Sequence, residues 1–225
     1  MPPLTVVFDL DGTLIDTAPD LANTLNVILA SEGLAPVPYE KARAMIGGGA
    51  RRMIEAALTF EKRPFTAADI DPLFKDFIAY YAAHIADRSQ PFPGLIEVLD
   101  QFASQGFILA VCTNKLEGLS RLLLDALGLS ARFSAICGQD TFGVQKPDPV
   151  VLQQTIAQAG GRLERAIMVG DSATDIDTAR AAGIPVVAVD FGYTEIPVME
   201  LGPDRVISHY PELPAAVAAL TDRMG

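Results

Sequence analysis

The chain has 225 residues, half of them hydrophobic, enough to bury a substantial core, so disorder is excluded. Its 17 Lys and Arg against 28 Asp and Glu give a formal net charge of −11. That disfavours broad attraction to nucleic acid or an anionic membrane, and any anionic substrate must be held by local positive charge.

In chain order, the N-terminus runs through a short apolar stretch at 4–10 that reaches Asp9 without the basic start and long apolar region of a secretory signal. No segment is long enough to span a bilayer, and a soluble cytoplasmic protein is expected. The stretch 4–10 reads as a buried strand. Residues 16–90 then hold several helical patterns, at 20–31, 39–45, 50–58 and 67–86, with no convincing strand. Phe74, Phe77, Tyr80 and Tyr81 fall at helical spacing and read as packing residues of the last of these.

From about residue 91 onward, strand and helix alternate. Apolar runs at 107–113, 134–138, 166–171 and 186–190 are rich in Val, Ile and Ala rather than alternating, as strands covered on both faces should be. Helical patterns at 95–104, 116–127, 149–159 and 175–182 separate or precede them. Gly106, Gly128 and Gly183 stand where helix C-caps belong. The expected fold is therefore α/β, a doubly wound parallel sheet. Residues 1–15 and 91–225 would form the core, and 16–90 a helical insertion. Cys112 and Cys137, each within an apolar run, read as buried reduced thiols.

Open parallel sheets bind ligands beyond the carboxyl ends of their strands. Those ends carry a coherent set: Asp9 and Asp11 after the first strand, Thr113 and Asn114 after the second, Lys146 in the loop after the third, Asp171 and Asp175 after the fourth. Taken singly, Asp-Gly, Lys-Pro-Asp-Pro and Gly-Asp-Ser are turn and cap punctuation. Taken together at one sheet edge, they satisfy the requirements of a single site. Carboxylates crowded there repel unless a cation sits among them, and hard oxygen ligands suit Mg²⁺. Phosphoryl transfer needs a nucleophile, an acid for the leaving oxygen and positive charge around the equatorial oxygens. Asp9, Asp11, and Mg²⁺ with Lys146 fill those roles. The Thr113 hydroxyl and backbone N–H groups near Gly12 and Asn114 complete a phosphate cradle. Asp190-Phe191-Gly192 lacks the companions of a kinase signature and reads as a turn. Gly47-Gly48-Gly49 lacks the Lys-Ser/Thr of a nucleotide-binding loop.

Asp9-Leu10-Asp11-Gly12-Thr13, Cys112-Thr113-Asn114, Lys146-Pro147-Asp148-Pro149 and Gly170-Asp171-Ser172 with Asp175 resemble, in order, the four motifs of the haloacid dehalogenase superfamily of aspartate-nucleophile phosphatases. The resemblance covers essentially the whole chain. It implies a covalent aspartyl-phosphate on Asp9, Asp11 as acid then base, and Mg²⁺ held by Asp9, Asp171 and the Asp11 carbonyl, with Asp175 supporting or joining the shell. It also implies that 16–90 is a helical cap. Because Asp11 is present, halide displacement and phosphonate hydrolysis are disfavoured, while a phosphomutase stays open.

Within the superfamily, Asp16-Thr17-Ala18-Pro19-Asp20-Leu21, Ile46-Gly47-Gly48-Gly49-Ala50 and Phe191-Gly192-Tyr193 are similar to segments of phosphoglycolate phosphatases, and parts of them to sugar-phosphate phosphatases. A small phosphorylated metabolite is the expected partner, with 2-phosphoglycolate the first choice. Its carboxylate would face the cap near Gly49, with Arg51 or Arg52 supplying a matching fork. The two are about 100° apart on a helix, so one should dominate; Arg51, nearer the glycines, is favoured. The oligomeric state is left open.

Overall fold

The computed structural model describes residues 2–194 and 196–222. Six strands form one sheet: β1 (Thr5–Phe8), β4 (Ile108–Cys112), β5 (Ala135–Cys137), β6 (Ala166–Gly170), β7 (Val186–Val189) and β8 (Arg205–Ile207). Their spatial order is β5-β4-β1-β6-β7-β8, and every adjacent pair is parallel. All four residues of β1 are buried, which explains its unbroken apolar sequence. Side chains still alternate between faces. Val6 and Phe8 join one core cluster with Leu109, Val111, Ile167 and Val169. Val7 joins a second with Ala110, Cys112, Ala135, Cys137 and Met168. Both thiols are thus buried and free, and burial pushes Cys112 up to about 12, leaving it inert.

Between β1 and β4 the chain first forms β2 (Ile15–Asp16), then α1 (Ala18–Ser31), α2 (Tyr39–Ala44), α3 (Ala50–Phe60) and α4 (Ala67–Ala83), and returns through β3 (Gln90–Pro91). β2 and β3 pair antiparallel, so the outgoing and returning strands run side by side. The Asp20 carboxylate fastens this crossing by accepting from the Arg88 and Ser89 amides at 3.0 and 2.8 Å and from Ser89 Oγ at 2.7 Å. A capping box starts α4, where Asp69 Oδ2 accepts from the Thr66 amide and hydroxyl at 2.7 and 2.8 Å. Of the four aromatics read as packing residues, Phe77 and Tyr81 on α4 are almost fully buried, as their spacing predicts, while Phe74 and Tyr80 are half-buried.

The remaining helices are α5 (Leu95–Ser104), α6 (Glu117–Ala126), α7 (Pro149–Gln158), α8 (Ala173–Ala182) and α9 (Leu213–Thr221). α8 begins two residues earlier than its apolar pattern predicts, because Asp175 in its first turn accepts from the Ser172 amide and hydroxyl. The expected strands at 107–113, 166–171 and 186–190 appear with slightly trimmed ends. β8, α9 and the two-residue strands β2 and β3 are not anticipated by the sequence patterns. No helix among the described residues is long and apolar enough to cross a membrane.

Candidate active site

β1, β4, β5 and β6 all run in one direction, so their carboxyl ends converge and sequence-distant motifs meet there. Asp9 follows β1 directly and is buried, with Oδ1 accepting from the Leu10 amide at 2.7 Å and from Lys146 Nζ at 2.9 Å. The same ammonium donates to Asp175 Oδ1 at 2.6 Å. Asp171, after β6, is anchored by Thr13 Oγ1 at 3.1 Å on Oδ1 and by the Tyr193 amide at 2.8 Å on Oδ2. Oxygens of Asp9, Asp171 and Asp175 lie within 4.8 Å of one another, and all three residues are buried.

Three carboxylates therefore share one ammonium away from water. Burial raises Asp9 to about 6, with Lys146 opposing and Asp175 adding to the rise. Burial, then Asp175 and Asp9, raise Asp171 further, to about 8. Burial works against the charge on Lys146, yet the Asp175 and Asp9 carboxylates outweigh it and hold the ammonium charged. The donor set is hard, anionic and short of positive charge, which fits a divalent cation with oxygen preference. Asp175 is already committed through both oxygens, to Lys146 and to the Asp171 and Ser172 amides, so Asp9 and Asp171 are the carboxylates with capacity left for a cation. The surroundings leave no slack. A Cβ on Gly12 would meet Asp171 Oδ2 at 2.5 Å, and one on Gly192 would collide with the Asp171 side chain.

Asp11 sits apart from this cluster, at the edge of a cavity. Its Oδ1 accepts from Thr17 Oγ1 at 2.8 Å, and Lys115 Nζ donates to Oδ1 and Oδ2 at 2.8 and 2.9 Å. Lys115 also lies over the Tyr81 ring, 4.6 Å from its centroid. Asn114 organises the Lys146 loop: its Oδ1 accepts from the Lys146 amide at 2.9 Å and its Nδ2 donates to the Lys146 carbonyl at 3.1 Å. Thr113 Oγ1 accepts from the Lys115 amide at 3.2 Å and lines the cavity with Asp9.

The opposite wall comes from the helical insertion. Gly47, Gly49 and Met53 near the start of α3 and Phe74 and Tyr81 on α4 complete the enclosure. Glycine is required at 49, where φ is +86° and a Cβ would stand 3.3 Å from the Asn114 carbonyl. Arg51 and Arg52 are not among the residues lining this cavity. Arg51 pairs with Asp71 at 2.8 Å and lies over Phe74, and both arginines border a separate cleft with Gln139 and Gln145. The structure thus brings together Asp9, Asp11, Thr113, Asn114, Lys146, Asp171 and Asp175 around the sheet edge, with Gly12 against Asp171 and Gly49 across the cavity, and leaves both arginines outside it.

Two residues that carry no site role in the sequence reading stand in this neighbourhood, Lys115 and the Tyr193 of the Phe191-Gly192-Tyr193 segment. Lys115 directly follows the Thr113-Asn114 pair, a position that could have flagged it. Tyr193 holds Asp171 through its amide, while its hydroxyl donates to Asp16 Oδ1 at 2.7 Å and accepts from the Thr17 and Ala18 amides at 2.6 and 2.9 Å. Its ring carries Arg43 from α2 at 5.2 Å, and that guanidinium donates to the Phe191 and Gly192 carbonyls. Tyr193 therefore links the Asp171 loop to the crossing into the helical insertion.

A phosphoglycolate phosphatase of Mesorhizobium japonicum is 53% identical over 213 residues, covering 95% of this chain and 94% of that protein. One from Caulobacter vibrioides is 48% identical, covering 96% and 91%. The crystal structure of a predicted phosphoglycolate phosphatase from Haemophilus somnus superposes with a TM-score of 0.88 at 29% identity, covering 95% of this chain and 97% of that one. The family model for haloacid dehalogenase-like hydrolases matches residues 6–189, and the chain belongs to that family.

Proposed function

We propose that this enzyme is a Mg²⁺-dependent phosphatase that hydrolyses 2-phosphoglycolate to glycolate and phosphate through an aspartyl-phosphate on Asp9. The observation that carries the reading is the buried Asp9–Asp171–Asp175 cluster, which opens at Asp9 onto a small, partly apolar cavity. The relatives' names supply the substrate. Asp9 and Asp171 would hold the Mg²⁺, which would supply positive charge to offset the phosphoryl oxygens and the surrounding carboxylates.

An Asp9 carboxylate oxygen forms a bond to phosphorus while the ester P–O bond breaks, and the departing glycolate oxygen takes a proton from Asp11. Asp11 then accepts a proton from water as that water attacks phosphorus and the bond to Asp9 breaks. Lys146 orients Asp9 and balances part of the negative charge. Thr113 and the amides near Gly12 and Asn114 cradle the phosphoryl oxygens. Residues 1–15 and 91–225 form the catalytic core, and residues 16–90 act as a cap that shields the reacting phosphorus from bulk water.

Release of inorganic phosphate is the discriminating assay, measured over a panel of 2-phosphoglycolate, ethyl phosphate and hexose phosphates with and without Mg²⁺. The expected result is Mg²⁺-dependent release with the highest kcat/KM for 2-phosphoglycolate. Preference for a hexose phosphate, or conversion without free phosphate as in a mutase, would overturn the assignment.

A further inference from the structure

A substrate bearing both a phosphate and a carboxylate brings a second negative charge into a protein of net charge −11. Lys146 is committed to Asp9 and Asp175. Arg51 is paired with Asp71 on the exposed face. Among the described residues lining the cavity, Lys115 is the sole cation. It is buried, with 4% of its side chain exposed, and is held between Asp11 and the Tyr81 ring. The walls around it include Met53, Phe74, Ile78 and Leu119, an apolar setting in which a charge pair is stronger than in water.

We propose that Lys115 is the residue that recognises the second anionic group of the substrate, and that this recognition is coupled to the readiness of Asp11. The inference rests on the 2-phosphoglycolate reading. That substrate is only two carbons long, so with its phosphate at Asp9 its carboxylate reaches no further than roughly 5 Å from phosphorus. Lys115 lines the same cavity as Asp9 and is bonded to Asp11, whereas the arginines of α3 lie outside that cavity.

Lys115 donates to both Asp11 oxygens, so as the pair stands neither is free to face a leaving group. Thr17 holds Oδ1 independently. When Lys115 gives up its bond to Oδ2 in favour of a substrate carboxylate, Asp11 keeps its position through Thr17. Its Oδ2 is then free to face the leaving oxygen. A substrate without the carboxylate leaves the Lys115–Asp11 pair intact, and discrimination appears in kcat as well as in KM.

The test compares kcat/KM for 2-phosphoglycolate, ethyl phosphate and 2-aminoethyl phosphate in wild type, Lys115→Met, Lys115→Gln and Arg51→Ala, with circular dichroism to verify folding. Wild type should prefer 2-phosphoglycolate to ethyl phosphate, and ethyl phosphate to the cationic 2-aminoethyl phosphate, by about tenfold or more at each step, the scale of one charged hydrogen bond. In Lys115→Met and Lys115→Gln the preference for the carboxylate should fall by at least about tenfold, through a higher KM for 2-phosphoglycolate and a higher kcat for ethyl phosphate, whose Asp11 is no longer held by the ammonium. Arg51→Ala should keep it.

If wild type has no carboxylate preference, the substrate reading itself fails. If wild type has that preference but hydrolyses 2-aminoethyl phosphate as well as ethyl phosphate, Lys115 does not face the substrate tail and the inference is overturned, whether or not the variants fold. A folded Lys115 variant that loses activity equally on all three substrates, or keeps the wild-type preference, overturns it too.

Discussion

Lys146 is the counter-charge on which the buried carboxylate cluster depends, and Lys146→Met removes that charge at similar volume. In the wild type its ammonium sits 2.6 Å from Asp175 and 2.9 Å from Asp9, with 1% of its side chain exposed. Deleting one partner of a buried ion pair leaves the other uncompensated and costs about 3–5 kcal/mol. For a chain of this size that is a fall in melting temperature of roughly 6–20 °C. Urea unfolding and thermal melts in chelator at pH 8 measure it. The penalty should be smaller at pH 5, because Asp9, already raised to about 6 by burial, is then largely protonated and has less need of the ammonium. Added Mg²⁺ should stabilise Lys146→Met more than wild type, since a cation replaces part of the missing charge. A variant within about 1 kcal/mol of wild type at pH 8 without metal, with the same response to Mg²⁺, would refute the charge-balance argument.

The metal-free wild type should lose stability as pH rises from about 4 to 8: Asp9 and Asp171 have folded pKa values near 6 and 8 against an ordinary 3.8, so the folded state holds protons that the unfolded state has released. Melts across that range in chelator should show the decline, and Mg²⁺ should flatten it; a rise in stability over this window would contradict the electrostatics. Gly192→Ala should destabilise by about 1–3 kcal/mol, because the new methyl collides with Asp171, and the displaced Tyr193 amide should weaken Mg²⁺ binding by about tenfold or more, read by calorimetric titration. Asp9→Asn should fold, since an amide oxygen still accepts from the Leu10 amide and from Lys146, while phosphate release falls by several orders of magnitude.

How much of this was legible in the sequence depended on how far each feature is written in contiguous residues. β1 and β6 are buried on both faces, so they appear as unbroken apolar runs, and the catalytic candidates lie at their carboxyl ends. β8 has three residues, two of them half-buried, and β2 and β3 have two each, too short for any periodicity to register. α9 opens on Leu213-Pro214 within a Pro- and Ala-rich tail, where its first-turn proline reads as a break rather than a start.

The grouping of the carboxylates was legible because they follow strands that run in parallel and so meet at one sheet edge, although each alone reads as turn or cap punctuation. Lys115 was not, because a lysine just after a strand ordinarily extends into solvent, and its partners Asp11 and Tyr81 come from elements far away in the chain. Arg51 shows the converse. Its proximity to the glycine loop suggested a ligand, but the rotation of α3 turns it toward Asp71 on α4. Tyr193 contributes through its backbone amide, a role that side-chain identity does not advertise.

The proposed reaction turns on phosphorylation of Asp9 during turnover. The direct measurement is rapid acid quenching of the wild-type enzyme during turnover of 2-phosphoglycolate with Mg²⁺, followed by mass analysis of the peptide containing Asp9. The expected result is a phosphoryl adduct on Asp9 that is missing without Mg²⁺ and in Asp9→Asn. Continued phosphate release with no adduct on that peptide at any quench time would contradict it.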